Sequence, residues 1–239
     1  VRFRTAIKDS RDTVYIFWTV IAGICCGAAL FVASGTQQVG LIDTDAGKAG
    51  FLTSMYIVIV PFLGLFFRKK LSPATVLGVL IAVAGLYLLS GAGASGINPS
   101  DILLILCAFA FAVQIILVER LGSTLDGLRL NCVQFLVVTV LSAFAAALTE
   151  DFSWRGAIDC AVPLLYTGVL SSGAAFSLQI LGQQHLPPEP ASLIMSLESV
   201  FAVLAGWVIL GQTLSPTELL GCCLVFAGVI LSQLRGKTA

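Results

Sequence analysis

Charge is what this chain is shortest of. Of 239 residues only 11% are Asp, Glu, Lys or Arg, against 58% hydrophobic, whereas a soluble domain carries about 25% charged residues. So few charges cannot cover a globular surface without large exposed apolar patches, so this surface belongs in lipid. The 13 basic and 13 acidic residues cancel, leaving no excess of either sign to attract nucleic acid. Histidine is nearly absent as well. His185 stands alone, which excludes a histidine-rich metal site. The sequence has no H-E-x-x-H, no G-x-S-x-G and no G-x-x-x-x-G-K-[ST], so no hydrolase centre and no ATP-binding loop can be read from it. No cofactor is implied, and any pumping must draw on an ion or solute gradient. Seven cysteines include no C-x-x-C pair and fall almost wholly inside apolar runs, where they pack as small hydrophobes.

What the chain has in quantity is long apolar runs. Eight can be marked, at 14–36, 50–67, 74–91, 101–119, 130–149, 160–181, 191–210 and 217–234. Each is close to the roughly 20 residues that carry a helix across the hydrocarbon core. The runs are continuously apolar, whereas a membrane β-barrel alternates over segments of about ten residues. The expected fold class is therefore all-α, a polytopic membrane helix bundle. Between the runs lie DTDAGK, RKKLSP, SGAGASGINPS, ERLGSTLDG, TEDFSWRG, QQHLPPEP and GQTLSP.

Basic residues orient the bundle. With the N-terminal segment in the cytoplasm, the inner segments hold Arg2, Arg4, Lys8, Arg11, Arg68, Lys69, Lys70, Arg120, Arg129, Arg235 and Lys237, and the outer ones hold only Lys48 and Arg155. Both termini are expected in the cytoplasm, with the protein multi-pass in the cell membrane. The opening VRFRTAIKDSRD begins on Val1 and lacks signal-peptide order.

An internal repeat carries more information. Segment 71–90 aligns with 214–233 at a constant offset, and Leu71, Ser72, Pro73, Leu77, Gly78, Ala84, Gly85 and Leu88 meet identical residues. One residue less of offset aligns Ala49 with Ala191, Ser54 with Ser196 and Gly64 with Gly206, while CCGAALFVASGTQQ (25–38) matches SSGAAFSLQILGQQ (171–184). The first, second and third spans thus correspond to the sixth, seventh and eighth. Partners lie an odd number of crossings apart, so they traverse the membrane in opposite directions. Inverted repeats of this kind belong to secondary transporters. The division expected is a three-span first repeat over 1–97 and a five-span second repeat over 98–239. That mismatch sets the expectation of ten spans in all, the first two preceding this chain.

The hairpin ASLIMSLESVFAVLAGWVILGQTLSPTELLGCCLVFAGVILS (191–232) places Glu198, Phe201, Trp207, Gly211, Leu214, Ser215, Gly221 and Gly228 in a recognisable order. It resembles the closing pattern of the drug/metabolite transporter superfamily, EamA type. Two positions depart from that pattern: Ser199 stands where the family often has Pro, and Gln212 where it often has Glu. The resemblance implies ten spans in two inverted repeats, and export or exchange of amino acids, related metabolites or drug-like compounds.

Within this frame Glu198 is the leading site residue. An ionised carboxylate inside a span costs about 2.5–3.5 kcal/mol on insertion scales, so it should face the bundle interior or a water-filled cavity. There it would serve proton coupling or cation binding; the plain alternative is a structural Glu bonded to a neighbouring helix. Tyr56 aligns within one residue of Glu198 and Ser199 in the repeat and is expected to line the same substrate cavity, or else to pack. Gln114, Asn131 and Gln179, with Gln134, are polar residues within spans, serving either as interhelical glue or as a substrate vestibule. Trp18 and Trp207 lie near span ends, where aromatic belts form. Pro61 marks either a gating kink or a tolerated one. The partners implied are a small-molecule substrate and membrane lipid. Oligomeric state is open, a homodimer included. The rival functions are a channel, which lacks a filter here, and a lipid-handling or scaffolding membrane protein.

Overall fold

Four helices begin at a proline: Ser72-Pro73, Asn98-Pro99, Pro187-Pro188 and Ser215-Pro216. Proline suits the first helical position because its missing N–H has no partner there and its φ is already helical. At Pro73 the Ala74 N–H donates to Ser72 Oγ at 3.3 Å, and two further starts are reinforced by carboxylates. Ser215 N–H and Oγ–H both donate to Glu218 Oε2, and Glu218 N–H returns to Ser215 Oγ, which makes a reciprocal capping box. At the other, Asp101 Oδ2 accepts the Asn98 N–H at 2.8 Å.

The computed structural model describes residues 10–44, 46–66, 71–90, 98–149, 158–210 and 215–234. Its helices are α1 (Ser10–Gly40), α2 (Ala46–Thr53), α3 (Tyr56–Phe66), α4 (Pro73–Ser90), α5 (Pro99–Gly122), α6 (Gly127–Thr149), α7 (Ala161–Leu165), α8 (Phe176–Gln183), α9 (Pro188–Met195), α10 (Leu197–Leu210) and α11 (Pro216–Leu234). Between α7 and α8 the chain runs as a π-helix, Tyr166–Ala175. There is no strand among the described residues. Among the described residues, seven stretches are long and apolar enough to cross a membrane, namely Val14–Gly40, Lys48–Leu65, Pro73–Ser90, Pro99–Gly122, Gly127–Thr149, Ala161–Gln183 and Pro188–Ile209; Pro216–Ser232 is a shorter apolar helix. Each of the eight runs read from the sequence falls on one of these, and the chain is an all-α polytopic bundle. The Arg68–Lys70 cluster, the Gly211-Gln212 pair, Arg2, Arg4, Lys8, Arg235 and Lys237 lie outside the described residues.

Contacts divide the chain into two compact units, and the division does not follow chain order. One takes α1 as far as Phe31 together with Leu117–Leu186; the other takes Val32–Ile116 and the chain from Pro187 onward. In the first unit Ala22, Cys26, Val118, Leu125, Leu130 and Ile180 form the buried cluster. Its α5–α6 connection is pinned by side chains. Gln184 Nε2 donates to the carbonyls of Gly122 (2.6 Å) and Leu125 (2.9 Å), and Asp126 N–H donates to the Tyr15 hydroxyl at 2.7 Å.

The second unit is organised around α4 and α11. A Cβ placed on Gly78 would lie 2.7 Å from the Gly228 carbonyl oxygen, and one on Gly85 2.7 Å from that of Gly221. From the other side, Gly221 and Gly228 would meet the Gly85 and Gly78 carbonyls at 2.7 and 2.6 Å. As numbers rise on one helix they fall on the other, so the pair crosses antiparallel at backbone contact. Lipid supplies no hydrophobic drive between helices, so close approach of small residues does that work.

Candidate functional site

Two spans of the second unit are not continuous helices. The Lys48–Leu65 stretch breaks at Ser54-Met55, between α2 and α3, and the Pro188–Ile209 stretch breaks at Ser196, between α9 and α10. Hydroxyls explain where the chain yields. Thr53 Oγ1 donates to the carbonyls of Ala49 (2.9 Å) and Gly50 (3.1 Å), and Ser196 Oγ donates to that of Leu193 (2.7 Å). Such back-bonding bends helices, and it supplies donors that the hydrocarbon cannot. The backbone tightens accordingly: Met55 N–H reaches Leu52 O, Ile57 N–H reaches Ser54 O and Ser199 N–H reaches Ser196 O, each three residues back. Pro61, the expected kink, lies inside a continuous α3; the interruption comes seven residues earlier.

The breaks face one another. Ser54 Oγ and Ser199 Oγ lie 3.2 Å apart, joining the first broken span to the second. Glu198, in the first turn of α10, is within electrostatic reach of Tyr56, the first residue of α3. A carboxylate in a helix's first turn is favoured by the N-terminal dipole. The Glu198 side chain is exposed, while Tyr56 is buried. Tyr56 packs edge-on to Phe111 of α5, with centroids 6.4 Å apart, in a cluster with Ile57, Val60, Leu86, Ile115 and Leu193. The structure therefore brings Tyr56, Glu198 and Ser199 together around Ser54, and Tyr56 enters as a packed side chain. Gln114 belongs to the same unit and is fully buried.

Asn131 and Gln179 belong to the other unit. Asn131 is 5% exposed; its Nδ2 donates to Ser177 Oγ at 2.8 Å, which links α6 to α8, and its Oδ1 has no partner. Gln179 Nε2, two residues beyond Ser177, is likewise buried without a hydrogen bond. Unsatisfied amides are costly in a membrane interior.

Sequence reasoning missed three features. The break serines were visible only as repeat partners. The ion pair Lys48 Nζ–Asp101 Oδ2, 2.7 Å long and nearly buried, ties α2 to α5. Glu189 lies in a segment that reads as a polar connection yet is 7% exposed. Among the described residues no group of three or more His, Cys, Asp or Glu side chains is placed to hold a metal.

Comparison with known proteins follows the same lines. Residues 98–234 match the EamA-like transporter family. An uncharacterized transporter of Archaeoglobus fulgidus is 34% identical over 91% of this chain and 70% of its own length. The threonine/homoserine exporter RhtA of Salmonella typhimurium is 28% identical over 68% of this chain and 55% of its own length, so the chain spans about half of that relative. A solved crystal structure at 21% identity superposes with a TM-score of 0.71, covering 92% of this chain and 87% of its own; that likeness speaks to the fold. The chain belongs to the EamA-like transporter family, whose members it matches as a membrane transporter of small metabolites.

Proposed function

We propose that the chain is part of a secondary carrier that exports or exchanges amino acids or similar small metabolites by alternating access between inverted repeats, with both termini in the cytoplasm of the cell that bears it. One observation carries this reading: two broken spans meet at Ser54 and Ser199, and their breaks, Ser54 and Ser196, are partners in the repeat (196 − 54 = 142). Discontinuous helices whose half-helix ends meet near the bilayer midplane are where carriers hold solute and coupling ion. The antiparallel glycine contacts of α4 with α11 support the same symmetry, because Gly78 and Gly85 are the repeat partners of Gly221 and Gly228. The repeats proposed are 1–97 and 98–239, which do not coincide with the two contact-defined units.

In this reading Glu198, exposed beside Tyr56, takes the charged group of the solute or the coupling ion, and Ser199 with Ser54 supplies hydroxyls. Gln114, Asn131 and Gln179 are the further amides that contact solute or the water travelling with it. The amino-acid class rests on the RhtA likeness. The test is counterflow of labelled threonine, homoserine and a wider amino-acid panel into proteoliposomes. Saturable counterflow, absent from empty vesicles and abolished in Glu198→Gln that still inserts, is the expected result. Wild-type rates in that variant would remove Glu198 from the site. Folded protein that shows lipid-dependent binding and no counterflow of any solute would make it a lipid-handling protein instead.

A further inference from the structure

We propose that a groove between α1 and α6 is a phospholipid site, in which Arg129 and the Tyr15 hydroxyl hold the headgroup phosphate and the apolar walls below take the start of an acyl chain. Both helices belong to the first unit along this stretch. They run in the same direction, because Gly23 lies against Val133 and Gly27 against Gln134 and Val137, with numbers rising together. At Gly27 the approach is to backbone: a Cβ there would lie 2.7 Å from the Gln134 carbonyl oxygen. Toward the N-termini larger side chains replace glycine and the helices part. Tyr15, Ile16, Thr19, Val20, Arg129 and Val133 line the resulting groove of about 190 Å³.

Among these six residues, polar donors stand at one end only. Thr19 Oγ1 donates to the Tyr15 backbone carbonyl at 2.8 Å, within its own helix, and so offers the groove no hydrogen. The Tyr15 hydroxyl accepts the Asp126 N–H at 2.7 Å, which leaves its own hydrogen to donate. Arg129 stands in the first turn of α6, and its side chain is exposed. Asp126 steadies it: Oδ1 accepts the Leu128 and Arg129 N–H groups at 3.0 and 3.3 Å, and Oδ2 lies 3.6 Å from Arg129 Nε. That ion contact engages Nε, and a guanidinium has four further N–H donors. Val20 and Val133 close the apolar end.

The surroundings name the occupant. Ile16 and Val20 are 54% and 40% exposed, and a surface of this composition lies in lipid, so the groove opens to the bilayer. A soluble metabolite carries polar groups on several sides and would leave most of them facing valine and isoleucine. A phospholipid has the groove's own distribution, a phosphate at the membrane surface and a chain beneath it. Guanidinium binds phosphate through paired hydrogen bonds, and a helix's first turn favours negative charge. Basic pockets between membrane helices hold lipid headgroups in this way. In the orientation proposed above, the lipid comes from the cytoplasmic leaflet. The site stands independently of which solute the chain carries.

The experiment is native mass spectrometry of delipidated protein in detergent, titrated with dioleoyl phosphatidylglycerol or with dioleoylglycerol, which has the same chains and no phosphate. Wild type is expected to retain one phosphatidylglycerol and to bind dioleoylglycerol more weakly. Arg129→Gln removes the charge-assisted bonds and should weaken phosphatidylglycerol about tenfold. Val20→Trp fills the groove from the lipid side, keeps the charge and should weaken it as well. Phosphatidylglycerol bound as tightly by either variant as by wild type would overturn the site. So would wild type that retains none, or that holds dioleoylglycerol equally well. Should a variant fail to insert, wild type decides the matter with phosphatidylglycerol bearing a photoreactive group on its acyl chain. Label on residues 15–20 or 129–133 supports the site, and label confined to other segments overturns it.

Discussion

At the scale of single residues, the buried polar pairs separate structural from functional roles. Lys48 and Asp101 meet at 2.7 Å with side chains only 11% and 5% exposed. Removing one partner of such a pair leaves the other's charge poorly compensated, whereas removing both is often close to neutral. Lys48→Met should therefore lower the thermal midpoint in detergent sharply, and Lys48→Met with Asp101→Leu should recover most of it. A double variant as unstable as the single would show that the charges are not the source of the effect. Ser54 and Ser199 lie at the other extreme. Hydrogen bonds between membrane helices average about 0.6 kcal/mol, so Ser54→Ala should melt almost like wild type. A large fall in counterflow at unchanged stability would then place the hydroxyl in contact with solute; unchanged counterflow would reduce it to glue. The sequence made Glu198 conspicuous because a charge in an apolar run stands out. It could not show that Tyr56 packs against Phe111, since an aromatic in a span reads the same whether it lines a cavity or fills a core.

At the scale of elements, hydropathy located all eight apolar runs to within a few residues, because the crossing length is imposed by the bilayer. The breaks were not legible. Thr53 and Ser196 end their half-helices by bonding backwards to carbonyls, and a hydroxyl doing this leaves the same sequence as one that does not. Pro61, the residue whose chemistry does announce a kink, sits in an unbroken helix. The π-helix is a similar case: Gly-Ala-Ala is α-helical at 27–29 and π-helical at 173–175, so local sequence does not select between them. Glycine roles divide cleanly by surroundings. Gly85→Ala or Gly221→Ala would push a methyl to within 2.7 Å of a facing carbonyl oxygen, and overpacking of this kind costs about 1–3 kcal/mol. Gly35 and Gly182 have nothing within 4 Å of a built Cβ, and replacing a mid-helix glycine by alanine there should be neutral or stabilising by up to about 1 kcal/mol. Thermal unfolding of the four single variants in detergent should sort them two and two; equal midpoints would refute backbone contact between α4 and α11.

At the scale of the whole molecule, what decides function is which ends share a compartment, and the two sides of the bundle differ in what they expose. Cys160 is exposed beside Asp159, at the start of the sixth apolar run, and His185 is exposed in the turn after α8. A single crossing separates them, Ala161–Gln183, so they must lie on opposite sides. In the orientation proposed, with both termini cytoplasmic, the His185 side faces the cytoplasm, although QQHLPPEP itself has no basic residue. Native Cys160 in intact cells should thus react with a membrane-impermeant maleimide. The other exposed cysteines, Cys25, Cys132 and Cys223, lie within apolar helices, where a membrane-impermeant reagent does not reach them. With Cys160 replaced by Ser, His185→Cys should be labelled only after permeabilisation. The opposite pattern would invert the bundle, and the proposed exporter would then face its solute from the other compartment.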